Sequence, residues 1–183
     1  NAQVIAMAGG ASGGDLLFHE LCRERNITAQ MYLAVPKPLH IGSYVAPAGG
    51  DWVARFNEVH RHLARKAEGS DGAGPVPCVK VFSDSADLPR WLQDRDSYNV
   101  GRRAMLWMLQ SAKALLRSID AIDSVTLIAL RTSRTSVGDF GGIQYAIHLA
   151  QQHGVDVQQI CIDPTAPRTA VVLSAPAAAA EPT

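Results

Sequence analysis

Two apolar runs, Val4–Ala8 and Gln30–Val35, bracket a glycine-rich turn and one helix's worth of chain. That arrangement restricts the fold more than any other feature of the sequence. The first run ends in Gly9-Gly10-Ala11-Ser12-Gly13-Gly14. Asp15 follows, and then Leu17 with Leu21 and Phe18 with Cys22 recur at helical spacing. The second run is stopped by Pro36 and Pro38. Strand, turn, helix and strand make a βαβ unit, whose crossover implies a parallel sheet.

The turn itself has the composition of a ligand site. Its glycines let the backbone bend tightly and approach a bound group without any Cβ in the way. The helix behind it offers free N–H groups and the positive end of its dipole, where a phosphate is held. Gly9, Gly10, Ser12, Gly13, Gly14 and Asp15 are therefore candidate ligand-binding residues. Asp15 can accept from a ribose hydroxyl, or it can simply cap the helix of an ordinary tight turn. The same residues also satisfy G-x-S-x-G, the nucleophile elbow of serine hydrolases. That chemistry needs a His after the last strand, whereas the last His, His153, precedes it. A triad around Ser12 is hard to draw.

Composition narrows the function classes. A chain of 183 residues with 47% hydrophobic content suits one domain with a real core. Lys plus Arg and Asp plus Glu both number 17, so the formal net charge is zero. This gives no electrostatic reason to expect nucleic acid or an anionic membrane as partner. Cys22, Cys78 and Cys161 form no C-x-x-C pair, which speaks against a disulfide framework or zinc knuckle and fits a cytoplasmic protein. No apolar run approaches the ~18 residues of a spanning helix. His60-x-His62 points its imidazoles to different sides of a helix, so no metal is expected. The chain opens at Asn1 and enters a strand almost at once, as expected of a piece of a longer protein.

The rest of the chain continues the alternation. Leu39–Gly50, with Pro, Gly and Ser, is expected to be a loop. Trp52, Phe56, Val59 and Leu63 mark one face of a helix, whose other face carries His60, Arg61, His62, Arg65 and Lys66. Those cations suit an anion patch or a plain solvated face. Glu68–Pro77 is a flexible loop by composition, Val79–Phe82 a short strand, and Ser83–Val100 irregular. Ala104–Ile119 is a strong helix, with Met105, Met108, Leu109, Ala112, Leu116 and Ile119 in register as core. Val125–Leu130 is continuously apolar, as a central parallel strand covered on both faces should be. A helix with Ile143, Ala146, Ile147 and Ala150 on its apolar side ends near Gly154, and Val157–Ile162 is a final strand. The folded unit is expected over residues 1–164, as a parallel sheet with helices on both faces. Residues 165–183, rich in Ala and Pro, read as a disordered tail.

A second glycine turn precedes the last helix: Gly138-Asp139-Phe140-Gly141-Gly142. In a parallel sheet both turns lie at the carboxyl ends of strands, the edge where doubly wound folds bind ligands. Gly138, Asp139, Gly141 and Gly142 thus join the candidate site. Arg131, directly after the central strand, and Arg102 or Arg103, opening the long helix, are placed to neutralise a phosphate.

These pieces together resemble a family. Ala8–Asp15 ahead of Leu16-Leu17-Phe18, then Ser43, Trp52 with Arg55-Phe56, Tyr98-Asn99, Leu127–Leu130 and Gly138-Asp139 with Gly141-Gly142 are similar, in order, to the motifs of SLOG-like domains. That Rossmann-like superfamily is named for the Smf/DprA and Lonely Guy proteins. The likeness is closest to its members in bacterial multidomain signalling proteins, beside tetratricopeptide repeats or nucleotide cyclases. It covers about residues 4 to 163. It implies a Rossmann-like domain that senses a nucleotide-derived ligand (a nucleoside phosphate, an ADP-ribose derivative or a cyclic nucleotide), in some systems in antiviral defence. The partners implied are other domains or an upstream segment of the same protein, or a further copy. Lonely Guy phosphoribohydrolases carry a Glu after P-G-G-x-G-T; this chain, with Asp139-Phe-Gly-Gly-Ile-Gln, does not. A glycosidase-like hydrolase using Asp15 or Asp139 as base is the enzymatic alternative. The family also has a strand and helix ahead of the first turn seen here, the strand lying centrally in the sheet.

Overall fold

Every strand among the described residues pairs parallel, as helical crossovers between apolar runs imply. The computed structural model describes residues 4–68, 78–87, 90, 99–120, 122–132 and 142–162, with the backbone only at 66–68 and 132. The chain is mixed α/β. β1 (Ile5–Ala8) leads through the glycine turn to α1 (Gly14–Glu24) and β2 (Thr28–Leu33). A short helix, α2 (Lys37–His40), runs on into a π-helical turn (Ile41–Val45) and a 3₁₀ turn (Ala46–Ala48). Then come α3 (Trp52–Glu68), β3 (Val79–Val81), α4 (Val100–Ser118), β4 (Thr126–Thr132), α5 (Ile143–Gln152) and β5 (Asp156–Ile162).

The strands form two sheets, not one. β1, β2 and β3 pair in that order, with Ile5 opposite Thr28 and Met31 opposite Val79. β4 pairs with β5 along its length, Thr126 opposite Asp156. Among the described residues, β1 and β4 each keep one edge without a strand partner. The central place expected for Val125–Leu130 belongs instead to β2, buried at five of its six positions and paired on both sides. In β4, Ile128 stays 49% exposed, because α5 contacts the pair but no third strand flanks it among the described residues.

One core cluster joins Leu16 and Cys22 of α1, Ala29, Met31 and Leu33 of β2, and Phe56, Val59 and Leu63 of α3. The expected stripe of α3 is thus its buried face, with Trp52 packed half-buried at its start. On α1 the buried stripe is Leu16, His19 and Cys22, at i, i+3, i+6, while Leu17 and Leu21 lie exposed. Two ion pairs strap α1 to α3: Arg23–Glu58 at 2.6 Å, and Arg55 bidentate on Glu20. Arg55 also lies over the Trp52 ring at 4.2 Å. A second cluster forms where β2 runs on into Ala34 and Val35, against Val100 and Ala104 of α4, walled by Tyr44 and Phe82.

Three further expectations are corrected. Leu39–Gly50 is mostly helical. Pro36 and Pro38 end the strand, but proline's fixed φ also suits the first turn of a helix, and they start one here. Helix α4 begins at Val100, four residues early, because Asn99 caps it by accepting from the Arg102 amide at 2.9 Å. Only Val100 and Ala104 of α4 are buried; Met105, Met108, Leu109, Ala112, Leu116 and Ile119 stay half-exposed. Trp107 packs edge-on against Tyr32 at 4.8 Å and tilted against Phe82 at 5.5 Å, an aromatic core contact. On α5, Ala146, Ile147, Leu149 and Ala150 are buried, and Gly154 at φ 66° ends the helix as expected. Tyr98, Gly138, Asp139, Gly141, the loop at 69–77 and the tail at 165–183 lie outside the described residues.

Candidate functional site

The glycine turn sits at the carboxyl end of β1 and is clamped from several sides. The Ser12 amide donates to the Tyr44 carbonyl at 3.0 Å, and the Ser12 hydroxyl reaches the same oxygen at 3.3 Å. Asp15, one residue into α1, folds back to accept from the Ala11 amide at 3.1 Å. His19 Nε2 donates to the Gly9 carbonyl at 2.9 Å. His40 lies against Gly10 and stacks on Phe56, with ring centroids 5.7 Å apart.

The glycines of this turn are not alike. A Cβ at Gly9 would run into the Asp15 carboxylate. One at Gly10 would meet Leu33 Cδ2 at 2.8 Å, Phe56 Cε2 at 3.0 Å and His40 Nε2 at 3.1 Å. One at Gly14 would press on Leu130 Cδ2 of β4 at 3.3 Å. Buried Gly10 has no room for a Cβ, while one at Gly9 or Gly14 would have to displace the Asp15 carboxyl or the Leu130 side chain. Gly13 differs: its φ is +92°, and among the described residues nothing stands within 4 Å of the place a Cβ would take. It is the N-cap of α1, with no side chain closing the helix end. The backbone is therefore open to an approaching group at Gly13 and closed at the other three.

Asp15 does not face that opening. Part of the residue is exposed, but its carboxyl group is enclosed beneath the turn, and burial pushes its pKa up from 3.8; the Ala11 amide pulls the other way, less strongly. A carboxyl raised in the fold contributes stability below pH 3.8, and that contribution is lost as pH rises through the folded value. Asp15→Asn keeps an acceptor for Ala11 without a charge to desolvate. It is expected to raise the melting temperature at neutral pH and to flatten the decline above the acid range. A lower melting temperature for the variant at neutral pH would mean that the carboxylate is held charged and well paired.

Other elements bring their amino termini to the same edge. The Tyr44 hydroxyl comes within 3.7 Å of where a Cβ on Gly101 would sit, in the first turn of α4. Arg102 of that turn lies over the Tyr145 ring of α5 at 4.9 Å. Gly142 is the N-cap of α5, again with no side-chain cap. Thus the starts of α1, α4 and α5 are linked through Tyr44, Leu130 and the Arg102–Tyr145 contact. Arg103 lies over the Phe82 ring at 5.0 Å, and Arg131 donates to Gln159 at 3.0 Å. The face of α3 is mixed: Arg61, His62 and Arg65 are exposed, whereas His60 is half-buried beside Phe56.

Sequence reading missed His19, His40 and Tyr44. His19 had a signal, since it falls midway in the Leu16–Cys22 stripe. His40 and Tyr44 had none, because their segment carried loop composition. A cavity of about 290 Å³ opens at the opposite edge, between the end of α4 and the starts of β4 and β5, where Lys113 donates to the His153 carbonyl at 2.9 Å. Among the described residues no group of three acidic, His or Cys side chains is placed to hold a metal, and no helix is long and apolar enough to cross a membrane. No protein-family model, curated protein or solved structure matches the chain.

Proposed function

We propose that this chain is a Rossmann-like module that binds the anionic part of a nucleotide-derived ligand, a nucleoside phosphate, ADP-ribose derivative or cyclic nucleotide, at the carboxyl edge of β1. The observation that carries the reading is Gly13: a helix start with no side-chain cap, in left-handed backbone, with open space among the described residues where the neighbouring glycines are crowded. Free N–H groups and the helix dipole favour an anion there. The start of α5, with no side-chain cap at Gly142, offers donors of the same kind, and the first turn of α4, capped by Asn99, brings Arg102 onto Tyr145 beside it. Binding is favoured over hydrolysis because Asp15, one of the two candidate bases, turns its carboxyl inward. The Ser12 hydroxyl is engaged by a main-chain carbonyl, not an imidazole. Action as part of a larger signalling or defence assembly draws support from the strand edges that β1 and β4 leave without a partner among the described residues.

The test is a thermal-shift screen of nucleoside phosphates, ADP-ribose derivatives and cyclic oligonucleotides, repeated with Gly13→Val. A stabilising ligand is expected, its affinity for the variant weakened by about 2 kcal/mol, the scale of local backbone strain. Absence of any stabilising ligand, or undiminished binding by Gly13→Val, would sink the assignment.

A further inference from the structure

The clamp on the glycine turn is built from buried imidazoles. His19 and His40 are 2% and 4% exposed. His19 spends Nε2 on the Gly9 carbonyl and leaves Nδ1 without a hydrogen-bond partner. Neither ring nitrogen of His40 makes a well-formed hydrogen bond among the described residues, although the Gly10 main chain lies against it closely enough to oppose the fall in its pKa. Buried polar atoms are nearly always satisfied, so two buried imidazoles this thinly bonded beneath one turn call for a reason. A neutral imidazole tolerates this position far better than an imidazolium, which would bury a charge and an unpaired N–H together.

Among the described residues no carboxylate pairs with either ring to offset that charge, and Arg23 near His19 is itself paired with Glu58. Facing His40 are the rings of Phe56 and Tyr44, and beside Phe56 stand Lys37 and His60. Facing His19 across a small cavity are Arg23 and His62. The acid at hand, Asp15, is committed to the Ala11 amide on the other side of Gly9. We propose that the glycine turn is a proton-operated latch, closed while His19 and His40 are neutral and released when they are protonated. Burial draws both imidazoles below their usual 6.5, with neighbouring carbonyls opposing weakly. A base depressed in this way stabilises the closed turn above pH 6.5, and that stabilisation is lost as pH falls through the folded values. The anion-binding conformation would then exist at neutral pH and be withdrawn in acid, whatever ligand it serves.

The test needs no ligand. Amide hydrogen exchange by NMR, corrected for intrinsic rates, follows the Ser12 amide, bonded to Tyr44, and the Met31 amide, bonded to Cys78 in mid-sheet. Between about pH 8 and about pH 5.5 the protection of Ser12 is expected to fall several-fold as the lowered imidazoles take up protons, while Met31 keeps its protection. His19→Gln combined with His40→Phe keeps a donor to Gly9 and a ring on Phe56, and should abolish the fall; if it folds poorly, His40→Phe alone should reduce it. Asp15→Asn should leave the fall intact. The latch is overturned by unchanged Ser12 protection, by parallel loss at Met31 (global unfolding), or by a fall that survives in the histidine variants or vanishes in Asp15→Asn.

Discussion

Replacing Phe56 by alanine is expected to lower the unfolding free energy by about 3–5 kcal/mol. The ring has no solvent exposure and lies where three elements meet: α3, which carries it; His40 of α2, stacked on it; and Gly10 of the turn, which admits no Cβ because of it. A domain of this size is stable by about 5–15 kcal/mol. The variant would therefore be marginal, with an urea midpoint well below the parent's. A loss under about 1 kcal/mol would mean that helix and turn are held together by something other than this ring.

Gly10→Val is expected to be as damaging, and Gly13→Val to be its converse. At Gly10 the new side chain would strike Leu33 and Phe56, neither of which has any exposed surface or free direction in which to give way. Overpacking of this kind costs about 1–3 kcal/mol where neighbours relax and more where they cannot, so little soluble folded protein should be recovered. At Gly13 there is no collision, only a φ that valine resists, for about 1–3 kcal/mol. Gly13→Val should fold and lose ligand; Gly10→Val should fail to fold. If circular dichroism gives the opposite order of stability, the packing role and the recognition role have been assigned to the wrong glycines.

What the sequence revealed was periodicity, and what it hid was context. The five described strands and the helices α1, α3, α4 and α5 were legible, because short apolar runs and 3.6-period stripes mark where elements lie even when, as on α1 and α4, they miss which face is buried. The α3 stripe of Phe56, Val59 and Leu63 emerged intact. The α1 face did not, because Leu17 and Leu21 outweigh His19 on any hydrophobicity count, yet His19 is the one buried. Leu39–Gly50 misled for a related reason: Pro, Gly and Ser mark the entry of a helix as readily as a loop. At the site, the glycines were visible but their division of labour was not. It depends on Leu33, Phe56 and Leu130, which approach the turn only in three dimensions. The separation of β4 from β1 was likewise invisible, since pairing leaves no local trace in composition.

That separation has a colloidal consequence. The outer strands are blunted in the usual ways: β3 is three residues long and carries Lys80, and β5 presents Asp156, Gln158 and Gln159. The inner edge of β1, Ile-Ala-Met-Ala, has no charge, no proline and no bulge to discourage a stranger. Val4 just before it and Ile128 on β4 add exposed apolar surface. An extended peptide meeting such an edge gains main-chain hydrogen bonds and an apolar seat at once. Held alone at high concentration, the chain should drift toward strand-mediated association, and a lysine at Met7 should slow that drift.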